Sequence, residues 1–308
     1  MPEYYATISK ATWENYRKNL TGKCDGTCLD DFIIKVADNL LIELNRELEI
    51  LKAQKIKYLV VDLTDNGGGT NWGEAVARTI SSKKINAAKI SLTIQKYTKV
   101  VFEKKLQIVL NDLDNKLLDK KQINLLNKSK IVLQKLVNES SVSSIDTNFW
   151  NNNNNTFIKP NLTSTNYFAS GLFPYVPKSK TSNLISKGII FSPNEFDYSK
   201  GKNDFKTLIL VDKNTASAAE YFTALLKDNK CANIIGEQTY GCGCGFIEGG
   251  VKYVLPNTKF ILKLPNCSRF RSDGTNEYKG IIPDFIIWNK SDTKDTKLQK
   301  LINYLKEY

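Results

Sequence analysis

The stretch from Thr207 to Gly245 dictates more about the fold than any other. Leu208 to Val211 is a short apolar run of the kind a buried strand carries. Asp212, Lys213 and Asn214 break it. Ala216-Ser217-Ala218-Ala219-Glu220 then opens a pattern in which Ala218, Ala219, Phe222, Leu225 and Leu226 follow helical spacing. A second apolar step, Ala232 to Ile235, runs into Gly236-Glu237. Ser217 therefore stands where a strand turns into a helix, flanked by small residues that would let a substrate backbone come close. Two readings are open. Serine is a preferred N-cap residue, so Ser217 can simply start the helix. Alternatively, the unpaired N–H groups and positive dipole end of a helix N-terminus offer what a developing oxyanion needs beside an attacking hydroxyl.

A second stretch has related character. Tyr58 to Leu63 is a near-continuous apolar strand, as in a parallel sheet covered on both faces. Thr64-Asp65-Asn66-Gly67-Gly68-Gly69-Thr70 follows, and Trp72 to Ile80 resumes a helix. Successive glycines reach backbone conformations closed to other residues and admit a ligand closely. Neither GxGxxG nor GxxxxGK[ST] is present, so a phosphate site is weakly indicated, and a backbone donor for an oxyanion fits as well. Asp65 and Asn66 can act as catalytic carboxylate and amide, or shape the turn and cap the helix. Glu220 reads as a first-turn helix charge.

The chain of 308 residues suits one large or two modest domains. Its net charge of +12 could attract nucleic acid or acidic surfaces. The lysines are scattered, however, and no basic run is interleaved with aromatics, so no nucleic-acid partner is expected. Histidine is absent, which removes the commonest general base and metal ligand. The six cysteines, Cys24, Cys28, Cys231, Cys242, Cys244 and Cys267, form no CxxC pair, and no metal or organic cofactor is expected. Cys231 reads as a small buried hydrophobe, and Cys24 with Cys28 can close a small loop or stay free. No apolar run approaches a membrane span, and no signal peptide is visible; export would need a signal outside these residues.

Elsewhere, Tyr4 to Ser9 predicts a short strand, and residues 13 to 28 a polar loop. Asp30 to Lys55 predicts an amphipathic helix capped by Asp30 or Asp31. Residues 103 to 137 predict one or two helices, and Asn151 to Asn155 a low-complexity loop. Residues 160 to 200 read as extended loops with one strand, Gly188 to Phe191. Val251 to Leu255 and Phe260 to Leu264 predict strands about Pro256-Asn257, and 294 to 308 a basic helix. The expected organisation is an α/β core in two halves, 1–85 and 206–308, around an insertion or subdomain at 86–205.

Four marks now stand in order. They are Asp62-x-x-x-Asn66-Gly67-Gly68-Gly69, the run Thr215 to Glu220, Gly236-Glu-x-Thr-x-Gly241, and the segment Arg271 to Asp284 with its Asp-Gly and Gly-Ile-Ile-Pro-Asp steps. Together they resemble the C-terminal-processing, or tail-specific, serine peptidases, including tricorn-core and retinoid-binding-protein relatives. The resemblance covers residues 1–85 and 205–290. It implies a crotonase-like ββα superhelix and hydrolysis of polypeptides through an acyl-enzyme. Ser217 would be the nucleophile, and the Ala218 amide with a Gly67 or Gly68 amide the oxyanion hole. Cys244 and Cys267 lie on segments that are neighbours in the family fold, which implies a possible disulfide.

The departures concern the base. In the processing-peptidase branch a lysine follows the nucleophile by 25 residues; here that position is Cys242. In the tricorn-like branch the base is a histidine from an N-terminal cap, supported by a late glutamate that Glu277 matches in approximate place. Three explanations follow: a cap outside these residues carries the base, the chain binds peptides without cutting them, or a lysine or the Cys242 thiolate substitutes.

Overall fold

The computed structural model describes residues 10–20, 26–69, 72–92, 96–140, 167–201, 205–245, 251–289 and 291–307. The expected strand at Tyr4 to Ser9 and the Asn151 to Asn155 loop lie outside them. The element order is α1 (Lys10–Lys18), α2 (Gly26–Ala53), β1 (Tyr58–Asp62), α3 (Trp72–Ile80), β2 (Lys89–Leu92), α4 (Lys96–Leu113), α5 (Lys120–Glu139) and β3 (Tyr167–Phe168). Then come the short α6 (Lys187–Ile190), β4 (Lys206–Val211), α7 (Ala218–Asp228), β5 (Asn233–Gly236), β6 (Val251–Val254), β7 (Ile261–Leu264), β8 (Cys267–Phe270), β9 (Phe285–Ile286) and α8 (Lys294–Glu307).

The fold is mixed α/β about a parallel sheet in the order β1-β4-β5-β9. β4, α7 and β5 form one βαβ unit, so α7 packs back on the sheet that its own strands build. Ile209, Val211 and Ile234 meet Phe222, Leu225 and Leu226 of α7, Ala77 and Ile80 of α3 and Leu48 of α2. On the other face, Leu208, Leu210 and Ile235 meet Trp288 of the segment after β9 and Leu301 and Tyr304 of α8. β4 is thus buried on both faces, as its unbroken apolar run predicts. β1 is not: Tyr58, Val60 and Asp62 are exposed, because it is an edge strand and one face lacks a cover.

Residues 86–201 add a second core. α4 and α5 pair, and Phe102, Val109, Leu126, Leu133 and Leu136 pack with Ile90, Leu92, Tyr167, Leu172, Ile190 and Phe191. β2 lies between β3 and β8, both antiparallel, so a strand from beyond the parallel sheet returns to pair with this region. Asp112 ties it down from α4. Its buried carboxylate accepts the Ile185 N–H at 3.0 Å, the Ser186 N–H at 2.8 Å and the Ser186 hydroxyl at 2.5 Å.

Several expectations need correction. Residues 10–18 are helical, not loop: Trp13 and Tyr16 sit one turn apart and both pack on Phe32, a three-residue spacing masked by the polar neighbours. α2 begins at Gly26, not at an Asp30 or Asp31 cap, and its first turn is anchored at buried, disulfide-bonded Cys28, whose carbonyl accepts the Tyr16 hydroxyl. Gly188 to Ile190 lie in a helical turn rather than a strand, a distinction a short apolar run does not encode, and only Phe191 is extended, bridging to Gly171. Cys231 is half-buried against the core beneath the sheet.

Asp112→Ala leaves three donors in a buried place without their charged acceptor. It should cost about 2–4 kcal/mol in urea unfolding, and hydrogen exchange should rise first at Ile185 and Ser186.

Candidate active site

The site is built where the loops after β1 and β4 meet. Asp212 ends β4 as a buried carboxylate. Its Oδ1 accepts the N–H groups of Asp65 at 3.1 Å, Asn214 at 3.0 Å and Thr215 at 3.1 Å, so one carboxylate gathers both loops. The Thr215 hydroxyl donates to the Leu63 carbonyl at 2.8 Å, the Asn214 side chain to Asp65 at 2.8 Å, and the Ala216 N–H to the Asn66 carbonyl at 2.9 Å. The glycine loop and the Ser217 turn are therefore a single stitched unit.

Ser217 has φ 55° and ψ −117°. This is a left-handed conformation that side chains rarely adopt, and it throws the residue out at the tip of the turn, where it is exposed. A residue that merely starts a helix has ordinary extended backbone. Gly68, at φ +94°, lies against the turn so closely that a Cβ there would meet the Ala216 carbonyl oxygen and the Ala218 nitrogen at 2.7 Å and the Ser217 Cβ at 2.8 Å. The glycine is required by both the dihedral and the approach.

The proposed oxyanion donors differ in availability. The Gly68 N–H is taken by the Asn66 side-chain oxygen at 2.9 Å. Among the described residues, neither the Gly67 nor the Ala218 N–H meets an acceptor. Asn66 thus shapes the turn rather than facing a substrate.

Glu220 holds the turn from below. It is the third residue of α7 and is almost fully buried. Oε2 accepts the Ser217 N–H at 3.0 Å and the Cys242 N–H at 2.9 Å; Oε1 accepts the Thr239 hydroxyl and the Gly241 N–H, each at 2.6 Å. A carboxylate has about four acceptor positions, and all are filled. Cys242, at the family's lysine position, therefore reaches the site through its backbone, while its thiol is free and exposed.

The same loop leads to Glu277. A Cβ on Gly241 would lie 2.4 Å from the Tyr278 carbonyl oxygen, and one on Gly243 3.3 Å from the Tyr278 nitrogen, so the turn at Glu277–Lys279 packs directly on it. Cys244 and Cys267 form a disulfide with Cα atoms 5.6 Å apart, anchoring the loop to β8. Two residues on, Arg269 donates to the Gly243 carbonyl at 3.2 Å and through Nε to Glu277 Oε2 at 2.5 Å. Glu277 Oε1 is buried without a hydrogen-bond partner among the described residues. The Arg269 guanidinium lies 4.4 Å from the centre of the Tyr221 ring, and the Tyr221 hydroxyl donates to Glu74 at 2.9 Å. Burial, with Glu74 beside it, pushes the Tyr221 hydroxyl well above the usual tyrosine range, so it stays a donor. Glu74 in turn pairs with buried Arg78. A cavity of about 660 Å³ lies alongside, between Tyr221, Arg269 and Cys244 on one wall and Val100, Lys104 and Ile108 of α4 on another.

The arrangement presents an exposed serine at the N-terminus of α7, with the unpaired Ala218 N–H next in the chain and the glycine loop packed against the same turn. A family model, peptidase family S41, matches residues 39–287. The chain belongs to this family. Over 94 residues it is 34% identical to a probable CtpA-like serine protease of Staphylococcus haemolyticus (strain JCSC1435), which takes in 29% of this chain and 17% of that protein. Among solved structures, mature CPAF complexed with lactacystin superposes with a TM-score of 0.58 at 16% identity, over 87% of this chain and 46% of that one. A CPAF mutant superposes with a TM-score of 0.56 at 17% identity, over 87% of this chain and 45% of that one. The chain thus spans less than half the length of each of these three relatives, and at these identities the structural likeness concerns the fold.

Sequence reasoning passed over two groups that hold the site together. Glu220 reads as a helix-end charge, and only its burial reveals the four-donor hub; the spacing Ser217-x-x-Glu220, a capping-box signature, was the available signal. Arg269 carries no local signal, since its partners lie on other segments.

Glu220→Gln replaces one acceptor oxygen with a donor facing other donors. It should lower stability by about 2–4 kcal/mol in chemical denaturation. Gly68→Ala should cost a similar amount, roughly 2–4 kcal/mol, through its dihedral and its clash with Ala216 and Ala218. Gly69→Ala, where a Cβ would meet nothing within 4 Å, should cost far less in the same assay.

Proposed function

We propose that this chain is a serine-peptidase core that hydrolyses polypeptides through an acyl-enzyme on Ser217. The observation that carries the reading is the Ser217 backbone, held in a rarely populated conformation at the tip of a turn against which Gly68 packs, with the N–H groups of Ala218 and of Gly67 in the glycine loop left without acceptors among the described residues. Such strain persists only where the surroundings enforce it, and here Asp212, Gly68 and Glu220 do so. In the proposed reaction the Ser217 Oγ attacks the scissile carbonyl and its proton passes to a base. The carbonyl oxygen, now negative, is received by the Gly67 and Ala218 N–H groups. Collapse expels the amine, which takes the proton, and water then releases the acyl group.

Glu277 has a positioning role in this scheme. One of its oxygens is held by Arg269, and the other is buried without a donor. A buried carboxylate oxygen calls for a hydrogen-bond partner, and the N–H of a catalytic base fits that need. The 308 residues contain no histidine, and Cys242 occupies the lysine position. The proton acceptor is therefore assigned to a group brought to the Glu277 Oε1 side of the site from outside these residues. The crotonase-like superhelix, and the division into halves 1–85 and 206–308 about an insertion at 86–205, belong to the same proposal. The parallel sheet with α7 packed on it and the separate core of residues 90–191 support it.

Labelling with a fluorophosphonate probe tests the reading. Labelling of the chain that disappears in Ser217→Ala shows an activated serine and a base within the chain. Absence of labelling in the folded chain, restored when residues that precede it in its gene are included, places the base outside. Absence in both sinks the peptidase reading and leaves a module that binds peptides without cutting them.

A further inference from the structure

Two adjoining cavities open at the end of the sheet opposite the Ser217 turn. Lys206 begins β4 and Val211 ends it, so about 17 Å of strand, at roughly 3.3 Å per residue, separates this end from the loop that carries Ser217. The larger cavity, of about 500 Å³, has Ile80, Phe205 and Ala232 in its lining and is bordered by Lys83, Lys206, Lys227 and Lys230. The smaller, of about 170 Å³, is bordered by Arg78, Lys83, Lys84 and Lys200 against Tyr175 and Tyr198. Lys83 lines both, so the two meet in one groove. Lys83 also donates through Nζ to the Lys230 carbonyl, which ties the segment after α3 to the segment after α7. Lys84 Nζ lies 5.2 Å from the centre of the Tyr175 ring and Lys206 Nζ 5.5 Å from that of Tyr58. These contacts place the cations without neutralising them.

Two of the charges are answered: Lys227 pairs with Asp284 at 2.7 Å, and Arg78 with Glu74. Asp284 is the one acidic residue in either lining among the described residues. The neighbouring Lys202-Asn203-Asp204 carries one charge of each sign. A plainer task for lysine here is to meet the negative ends of α3 and α7, which both finish at this groove. Two helix ends amount to about one elementary charge. Lys83, Lys84, Lys200, Lys206 and Lys230 remain, so the helix ends account for the smaller part. Like charges gathered on a concave, partly apolar surface repel one another, and the low-dielectric walls strengthen their field. A bound anion removes that cost. A phosphate group brings up to about two negative charges, against one for a carboxylate, so phosphates match this density of lysine in the least space. The larger cavity falls within the range of small-ligand clefts, about 300–1,000 Å³. We propose that the groove is a binding site for a small polyanion carrying several phosphate groups. It is separate from the Ser217 site and does not depend on the reading given to Ser217.

Isothermal titration calorimetry of the full chain with inorganic tripolyphosphate tests the proposal. Tripolyphosphate should bind at least about tenfold more tightly than orthophosphate, raise the melting temperature, and bind more weakly as salt is raised. Lys200→Glu combined with Lys230→Glu should weaken tripolyphosphate binding at least about tenfold. Lys121→Glu combined with Lys128→Glu, an equal change of charge on α5, should alter it by less than about twofold. All four side chains are exposed, so the melting temperature serves as the folding check. No binding of tripolyphosphate would overturn the proposal. So would an equal loss in the two double variants, which would reduce the effect to net charge. Single-stranded DNA that binds more tightly than tripolyphosphate, and is lost in the groove variant, would also overturn it and assign the groove to a nucleic acid. If the groove variant fails to fold, Lys200→Gln alone decides: a few-fold weakening supports the site, and unchanged affinity removes it.

Discussion

The Glu220 carboxylate is the point on which the site depends. A buried ionised group survives only when it is fully hydrogen-bonded, and Glu220 draws its four donors from three places: the Ser217 turn, Thr239, and the Gly241–Cys242 loop. None of these segments has regular backbone pairing of its own where it meets the carboxylate. Without the charge, three backbone N–H groups and a hydroxyl would be buried without acceptors. The need to satisfy that one group converts separate loops into a fixed constellation. Hydrogen bonds to a charged acceptor contribute about 1.5–3 kcal/mol each, enough in sum to hold the Ser217 backbone in a conformation that costs of order 1–3 kcal/mol.

A second network runs outward from the first. Arg269 joins Glu277 to the Gly243 carbonyl and stacks on Tyr221, Tyr221 bonds Glu74, Glu74 pairs with Arg78, and Arg78 lies over the Phe191 ring at 4.7 Å. Phe191 belongs to the core of residues 90–191. The line of charges and rings thus crosses from the turn behind Ser217 to the packing of the second core. Buried ion pairs of this kind add little net stability compared with apolar packing, yet breaking one member leaves an uncompensated charge. What they supply here is fixed relative placement of the two packed regions about the cavity between them.

The long periodic elements were legible in the sequence. The runs at Leu208 to Val211 and at Trp72 to Ile80, and the alternation of turn and strand about Pro256, all carry their own local pattern. So was the place of Ser217 between β4 and α7, because an apolar run breaks just before a helical pattern opens there. What escaped depended on partners far along the chain. α1 exists because Trp13 and Tyr16 find Phe32, and β1 is half-exposed because of its place at the sheet edge. The Asp119-x-x-Gln122 capping box at the start of α5 is different, a local signal that was readable and marks the break between α4 and α5. The Gly68 N–H shows the limit of motif reasoning. Three glycines in a row promise several free donors, but the Asn66 side chain takes one of them.

The strained Ser217 turn is fixed by contacts entirely inside the described residues, whereas the orphaned oxygen of Glu277 is not satisfied among them. That asymmetry has a physical consequence. The expensive part of an acyl-transfer site is the preorganisation of its dipoles, because those must be in place before charge develops. A base needs only to arrive in the right protonation state and orientation. In the reading proposed for Ser217, backbone and buried carboxylates would supply the first part, and the open acceptor of Glu277 would orient the second, a division along the line where it costs least. The Arg269 guanidinium is what makes the open acceptor tolerable, since it neutralises Glu277 through the other oxygen while Oε1 stays available.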